Sequence, residues 1–188
     1  MAKKIAILVS GTGSNMQAII AACQSGILAA QVELVISNKK NALALAKAQQ
    51  ANISTLVIEH QNFASREAFD QALLAELNKH ALDLICLAGF MRILSKEFLA
   101  NLAAPIINIH PSLLPKYKGA HAIEDAFAAG EQVTGCTVHY VIPEIDAGEI
   151  IEQQQLEILP NDDLASLKQR LHQLEHQTYV AALKKILL

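Results

Sequence analysis

Lys3-Lys4-Ile5-Ala6-Ile7-Leu8-Val9-Ser10-Gly11-Thr12-Gly13-Ser14-Asn15 is the stretch whose reading decides the fold. Lys3 to Val9 is an apolar run without alternation, the pattern of a strand buried on both faces. Ser10 to Ser14 is a turn. From about Asn15 to Ser25, Met16, Ile19, Ile20 and Cys23 recur at helical spacing, and Gly26 is a stop signal. A buried strand that feeds straight into a helix is how a parallel α/β sheet begins.

Outward from there the alternation continues. Strands are expected at Val32–Ile36, Ser54–Ile58, Leu82–Leu87 and from Ile106. Helices are expected at Asn41–Ala51, Ser65–His80 (Phe69, Leu73, Leu74 and Leu77 on one face) and Ser95–Leu102. After the fifth strand the pattern changes. One helix falls between Gly119 and Gly130. Two strand-like runs, Thr134–Ile142 and Glu149–Leu156, are separated only by Pro143–Gly148. So short a link permits antiparallel pairing but no βαβ crossover. A helix from about Asp163 to Leu187 completes the chain. The expectation is an α/β fold: a doubly wound, mostly parallel seven-stranded sheet, helices on both faces, the first strand central and an antiparallel strand near the C-terminal edge. Residues 1–188 read as a single domain.

Composition narrows the function. Hydrophobic residues make up 52 % of the chain, yet no run approaches the roughly 20 apolar residues of a membrane span. The N-terminal apolar stretch is too short for a signal peptide and reads into the glycine turn. Cys23, Cys86 and Cys136 have no CxxC spacing, which suits reduced thiols in a cytoplasmic protein. A net charge of −3, 4 % aromatic content and no tryptophan argue against a nucleic-acid surface. No membrane partner is expected.

Three loops after strands carry candidate chemistry. Gly11, Thr12, Gly13, Ser14 and Asn15 open a helix whose free N–H groups suit one phosphate on a small substrate. It is no dinucleotide fingerprint, because residue 16 is Met, and no Gly-Lys-Ser/Thr follows. A plain strand–helix turn needs the same glycines. Gly89-Phe90-Met91-Arg92-Ile93-Leu94 suits either an apolar slot with one polar handle or a loop tucked under the sheet. In Ile106-Ile107-Asn108-Ile109-His110-Pro111, Asn108 and His110 share one face and Pro111 ends the ladder. All three loops leave the same edge of a parallel sheet, where ligands bind. Asp146 lies in an Asp-Ala-Gly turn that is also ordinary hairpin chemistry. Thr137 and His139 share a face of the preceding strand. Cys136 lacks a local activator, and no histidine pair has metal-ligand spacing, so no metal is expected.

Asn108-Ile109-His110-Pro111-Ser112-Leu113-Leu114-Pro115, followed by Asp146 in its turn, resembles the folate-dependent formyltransferase family. Gly11–Asn15 and Ala88–Leu94 are similar to the branch that formylates phosphoribosylglycinamide (GAR), and the likeness runs nearly the whole chain. The resemblance implies transfer of formyl from 10-formyltetrahydrofolate, a co-substrate, to the GAR amino group in purine synthesis, by direct attack through a tetrahedral intermediate. It makes Asn108 and His110 oxyanion donors and Asp146 the proton-handling partner, supported by Thr137 and His139. It places GAR against Gly11, Thr12, Gly13, Ser14, Asn15, Gly89, Met91, Ile109, Pro111 and Glu175. Folate would lie against Arg66, Phe90, Met91, Arg92, Ile93, Leu94, Asn108, Ile142, Pro143, Glu144 and Asp146. A monomer or homodimer is expected.

Lys118 departs from the proline common at its place, Thr137 replaces a frequent serine, and the chain stops soon after the last helix. The rivals are a formyltetrahydrofolate hydrolase, which normally carries an N-terminal regulatory domain, a tRNA-directed relative with an added basic domain, and a non-catalytic phosphate- or nucleotide-binding domain.

Overall fold

Strand β1 (Lys3–Val9) sends alternate side chains to two separate cores. Ile5, Ile7 and Val9 pack with Met16 and Ile19 of α1 (Ser14–Gln24) and with Leu167, Leu171, Tyr179 and Leu183 of α6 (Leu164–Ile186). Ala6 and Leu8 pack with Phe69, Leu73 and Leu77 of α3 (Arg66–Leu77) and Phe98 of α4 (Lys96–Asn101). With both faces covered, the strand needs no polar side, which is why its sequence shows none. These features come from a computed structural model that describes residues 2–187. Met1 and Leu188, the ends of the expected domain, lie outside the described residues.

The other elements are β2 (Ala30–Ser37), α2 (Leu43–Gln50), β3 (Ser54–Val57), β4 (Leu84–Leu87), β5 (Ile106–His110), α5 (Ala122–Ala128), β6 (Val133–Tyr140) and β7 (Ile150–Glu157). The seven strands lie in the order β3-β2-β1-β4-β5-β6-β7. The first five are mutually parallel, with β1 at their centre. β6 runs antiparallel to both neighbours, as the short link before β7 requires. The fold class is the expected one.

Helix α5 lies between Gly119 and Gly130 as expected, and the Gly119 N–H before it donates to Asp146. A 3₁₀ turn at His60–Asn62, unforeseen, brings the His60 ring to Asn38. Leu74 is only partly buried, while Phe69, Leu73 and Leu77 form the core stripe. The long α6 starts with a capping box between Asp163 and Ser166. Its Tyr179 hydroxyl donates to the Leu87 carbonyl at 2.9 Å, tying the helix to the C-terminal end of β4.

Candidate active site

The glycine loop is shaped from below. Gly13 has φ +74°, and a Cβ there would meet the Ala44 Cβ at 2.6 Å, so both conformation and packing demand glycine. Ala44 N donates to Gly11 O at 3.1 Å and Lys47 Nζ to Thr12 O at 2.8 Å, so α2 holds the loop. The first intrahelical bond of α1 is Gln17 N to Gly13 O. The N–H groups of Ser14, Asn15 and Met16 are therefore the free donors of the helix end, with no acidic side chain in the first turn.

Buried Asn15 donates from Nδ2 to Glu175 Oε2 at 3.0 Å, joining α1 to α6. Its Oδ1 is buried without a partner. Burial pushes the Glu175 carboxyl above its ordinary range. The Asn15 hydrogen bond and the His172 and His110 charges pull it back. An unmet acceptor thus stands beside a buried acid.

The β4 loop is tied to the glycine loop through Ser10. Ser10 N donates to Gly89 O at 3.1 Å, Met91 N donates to Ser10 Oγ at 2.8 Å, and Ser10 Oγ donates to buried Asn38 Oδ1 at 2.6 Å. The loop alternates. Phe90 and Leu94 turn into the core on the α3 side, whereas Met91 and Ile93 are 70 % and 54 % exposed. The loop therefore presents Met91, Ile93 and its backbone to the surface, with Phe90 and Leu94 buried beneath them. Arg92 lies over the Phe69 ring at 6.0 Å, with its Nε buried and unpartnered. Arg66 opens α3 one turn before Phe69, exposed and beside Glu67.

At the end of β5 the period-2 reading holds. Asn108 and His110 stand opposite His139 and Thr137 of β6. Ile109 faces the other way and packs into the core on the α1 and α6 side. His110 is 5 % exposed. Its Nδ1 lies 3.4 Å from Asp146 Oδ2, and its Nε2 lies 2.7 Å from the Tyr117 carbonyl. A carbonyl only accepts, so Nε2 carries a proton and Nδ1 is the nitrogen that faces Asp146. Asp146 Oδ2 also accepts from Gly119 N at 2.9 Å. The sequence-remote pair is in contact.

His139 is the orienting ring. Burial holds its pKa below the usual value, against the Tyr140 hydrogen bond and the Asp146 charge. Its Nδ1 donates to Tyr140 O at 2.9 Å, which leaves the Nε2 lone pair to accept from Asn108 Nδ2 at 3.4 Å. The 3.7 Å approach of Nε2 to Asp146 Oδ1 is therefore not an ion pair, because this ring is neutral. Thr137 is a hub: it donates to Ser112 O at 2.7 Å and accepts from Leu114 N at 3.2 Å and Gln153 Nε2 at 2.8 Å, fixing the chain after Pro111.

A cavity of about 320 Å³ opens beside this cluster, lined by Leu114, Pro115, Lys118, Glu144, Asp146 and Ile150 among others. Lys118 pairs with Glu144 at 3.4 Å across it. Ile142 and Ile145 in the same turn are 41 % and 49 % exposed, and Pro143 is exposed beside them. Cys136 is wholly buried, and its thiol is pushed up to about 12, so it is no nucleophile. Among the described residues no cluster of three or more His, Cys, Asp or Glu could hold a metal ion, and no helix is long and apolar enough to cross a membrane. Sequence reasoning missed Ser10, Asn38, Tyr117 and Gly119. Only Ser10, next to the glycine turn, gave a signal.

Residues 3–183 match the family described as Formyl transferase. The trifunctional purine biosynthetic protein adenosine-3 of Drosophila melanogaster is 51 % identical over 183 residues, covering 96 % of the chain, and the chain spans only 14 % of that longer protein. Phosphoribosylglycinamide formyltransferase of Haemophilus influenzae is 43 % identical, with 97 % of the chain and 86 % of that protein covered. The structure of phosphoribosylglycinamide formyltransferase from Coxiella burnetii superposes with a TM-score of 0.92 at 46 % identity, covering 98 % of this chain and 86 % of that one.

Proposed function

Since the chain belongs to the formyl transferase family, we propose that it transfers the formyl group of 10-formyltetrahydrofolate to the amino group of GAR, as one domain. The observation that carries this reading is the contact of His110 Nδ1 with Asp146 Oδ2 at 3.4 Å, with Asn108 on the same face of β5.

The chemistry follows from the donors. A neutral amine attacks the formyl carbon, and the carbonyl oxygen becomes an oxyanion. His139 accepts one Asn108 amide hydrogen, leaving the other free to donate to that oxygen. Because Tyr117 occupies Nε2, His110 acts through Nδ1. Its 3.4 Å separation from Asp146 is longer than a tight charge-assisted bond, so the Nδ1 proton can be shared with an oxyanion. Asp146 steadies the imidazolium and, with water, relays the proton from the attacking nitrogen to the leaving folate nitrogen.

At the other end, the N–H groups of Ser14 and Asn15 bind the GAR phosphate, and Glu175 and Asn15 Oδ1 take the donors of a ribose. Folate lies against Met91–Leu94, Arg66 and the turn 142–146, meeting mainly backbone groups there.

The test is turnover of purified protein with 10-formyltetrahydrofolate and GAR, with and without its phosphate. Formylated GAR is expected, with much weaker use of the dephosphorylated acceptor. Deformylation that ignores the amine would make the protein a hydrolase. Equal use of both acceptors would remove the role given to Gly11–Asn15.

A further inference from the structure

Tyr117 adopts an unusual backbone for a bulky residue, φ +52°, and its carbonyl meets the buried His110 ring. Left-handed backbone at a large side chain persists only where surrounding contacts enforce it. Those contacts are present. The Tyr117 hydroxyl donates to Glu131 Oε1 at 2.9 Å, and Lys116 Nζ donates to the same oxygen at 2.9 Å. Glu131 itself stands on a rigid junction, since its N–H continues the end of α5 by bonding Ala126 O at 3.2 Å, just before β6. Ser112 Oγ donates to Lys116 O at 2.6 Å from the other side. The loop is thereby held at two points, and what it presents between them is one carbonyl oxygen aimed at His110 Nε2.

We propose that Tyr117 and Glu131 are positioning residues for His110. The Tyr117 carbonyl accepts a hydrogen bond from Nε2–H and sets the ring so that Nδ1 faces Asp146 and the reacting oxygen, while the phenol–Glu131 contact holds that carbonyl in place. Neither residue touches substrate in this arrangement. They act through the ring they orient, as a backbone carbonyl behind a catalytic imidazole fixes which nitrogen is free to work. The inference rests on the formyl-transfer reading for its kinetic consequence, but not for the contact itself.

The two parts separate experimentally. In ¹⁵N-histidine-labelled, ligand-free protein, the ring spectrum of His110 reports which nitrogen carries the proton. A proton on Nε2 is expected, with slowed exchange that quickens in Tyr117→Phe and in Glu131→Ala. A neutral ring protonated on Nδ1 alone would overturn the proposal, whatever the protein catalyses. In the formyl-transfer assay, Tyr117→Phe and Glu131→Ala are each expected to lower kcat about tenfold and leave both KM values within about twofold. The double variant is expected to lose no more than Glu131→Ala alone, because that substitution already removes the contact that Tyr117→Phe removes. A strut that only stabilises the surface would lower Tm and leave kcat alone. Unchanged kcat in both single variants would overturn the proposal, as would additive losses in the double variant. Absence of formyl transfer in the wild-type protein would overturn the functional reading and leave the spectrum as the test of the contact.

Discussion

Two polar pairs stand at the C-terminal edge of the sheet. Asn15 and Glu175 meet at 3.0 Å and join α1 to α6, while His110 and Asp146 approach to 3.4 Å and join β5 to the turn before β7. They differ in how completely the protein satisfies them. Asn15 Oδ1 has no partner, and Glu175 is an acid raised by its own burial. At the second pair, Tyr117 O meets the His110 ring, Gly119 N donates to Asp146, and the neutral His139 lies beside it. On the proposed function a ribose supplies the donors that the first pair lacks, so that pair is assigned to binding. A pair already oriented needs no rearrangement as charge develops, which is how preorganised groups lower a barrier. The first joins the helix after β1 to the last helix of the chain, and the second joins the last parallel strand to the turn between the two antiparallel ones.

The comparison breaks first at Asp146. Asp146→Asn keeps the shape and removes the charge that steadies His110. It is expected to cut kcat about a thousandfold while KM for GAR and Tm change little, which steady-state kinetics and a melting curve would show. A large rise in acceptor KM instead would mean that the pair binds substrate and the contrast is false.

Glu175→Gln tests the opposite end. Acceptor KM is expected to rise about tenfold or more, the range for a hydrogen bond to a charged group, with folate KM unchanged. Stability carries a second signature. Because the folded state raises the Glu175 pKa, it keeps a proton that the unfolded chain has already lost as pH rises above the ordinary carboxylate range. The stability associated with this group is full below that range and falls as pH climbs through the folded value. The variant does not titrate, so its Tm should match the wild type near roughly pH 4 and exceed it at roughly pH 8.

How much of this contrast is legible in the chain depends on which atoms do the work. Ile5 to Val9 and Ile106 to Ile109 announce buried strands because both faces are covered, and Asn108 and His110 show their shared face through period 2. The turn around Asp146 reads on its own as ordinary hairpin chemistry, so Asp146 is nominated by the family resemblance, and nothing local says that a turn after β6 reaches β5. The groups that complete the cluster are the Tyr117 carbonyl and the Gly119 N–H. Every residue has such atoms, so side-chain identity cannot single them out. Likewise the run Phe90 to Leu94 is uniformly suggestive as text, whereas in space Phe90 and Leu94 are core and Met91 and Ile93 are surface.

Ser10 lies between the two regions, since it holds the glycine loop and the β4 loop together. Ser10→Ala leaves the Met91 N–H and the Asn38 oxygen without their buried partner. A loss of about 1–3 kcal/mol of stability is expected, with several-fold increases in both KM values and a smaller change in kcat. Calorimetric titration with each substrate separately would show whether both affinities fall. An effect on one alone would mean that the two ends are built independently.

The smallest effect belongs to Lys118, whose ion pair with Glu144 bridges the cavity mouth at 3.4 Å. Its position invites a catalytic role, because it is adjacent to Tyr117 and Gly119, which hold His110 and Asp146. Yet those contacts are made by backbone groups that survive any change of the Lys118 side chain. Glu144 is 73 % exposed and Lys118 38 %, so water and salt screen the pair. Lys118→Ala is therefore expected to change kcat less than about twofold and Tm by no more than about one degree, with folate KM rising slightly at low salt and not at high salt. A tenfold loss of kcat that salt does not relieve would show that the mouth of the cavity belongs to the preorganised cluster, and would move the boundary between the two regions outward to include it.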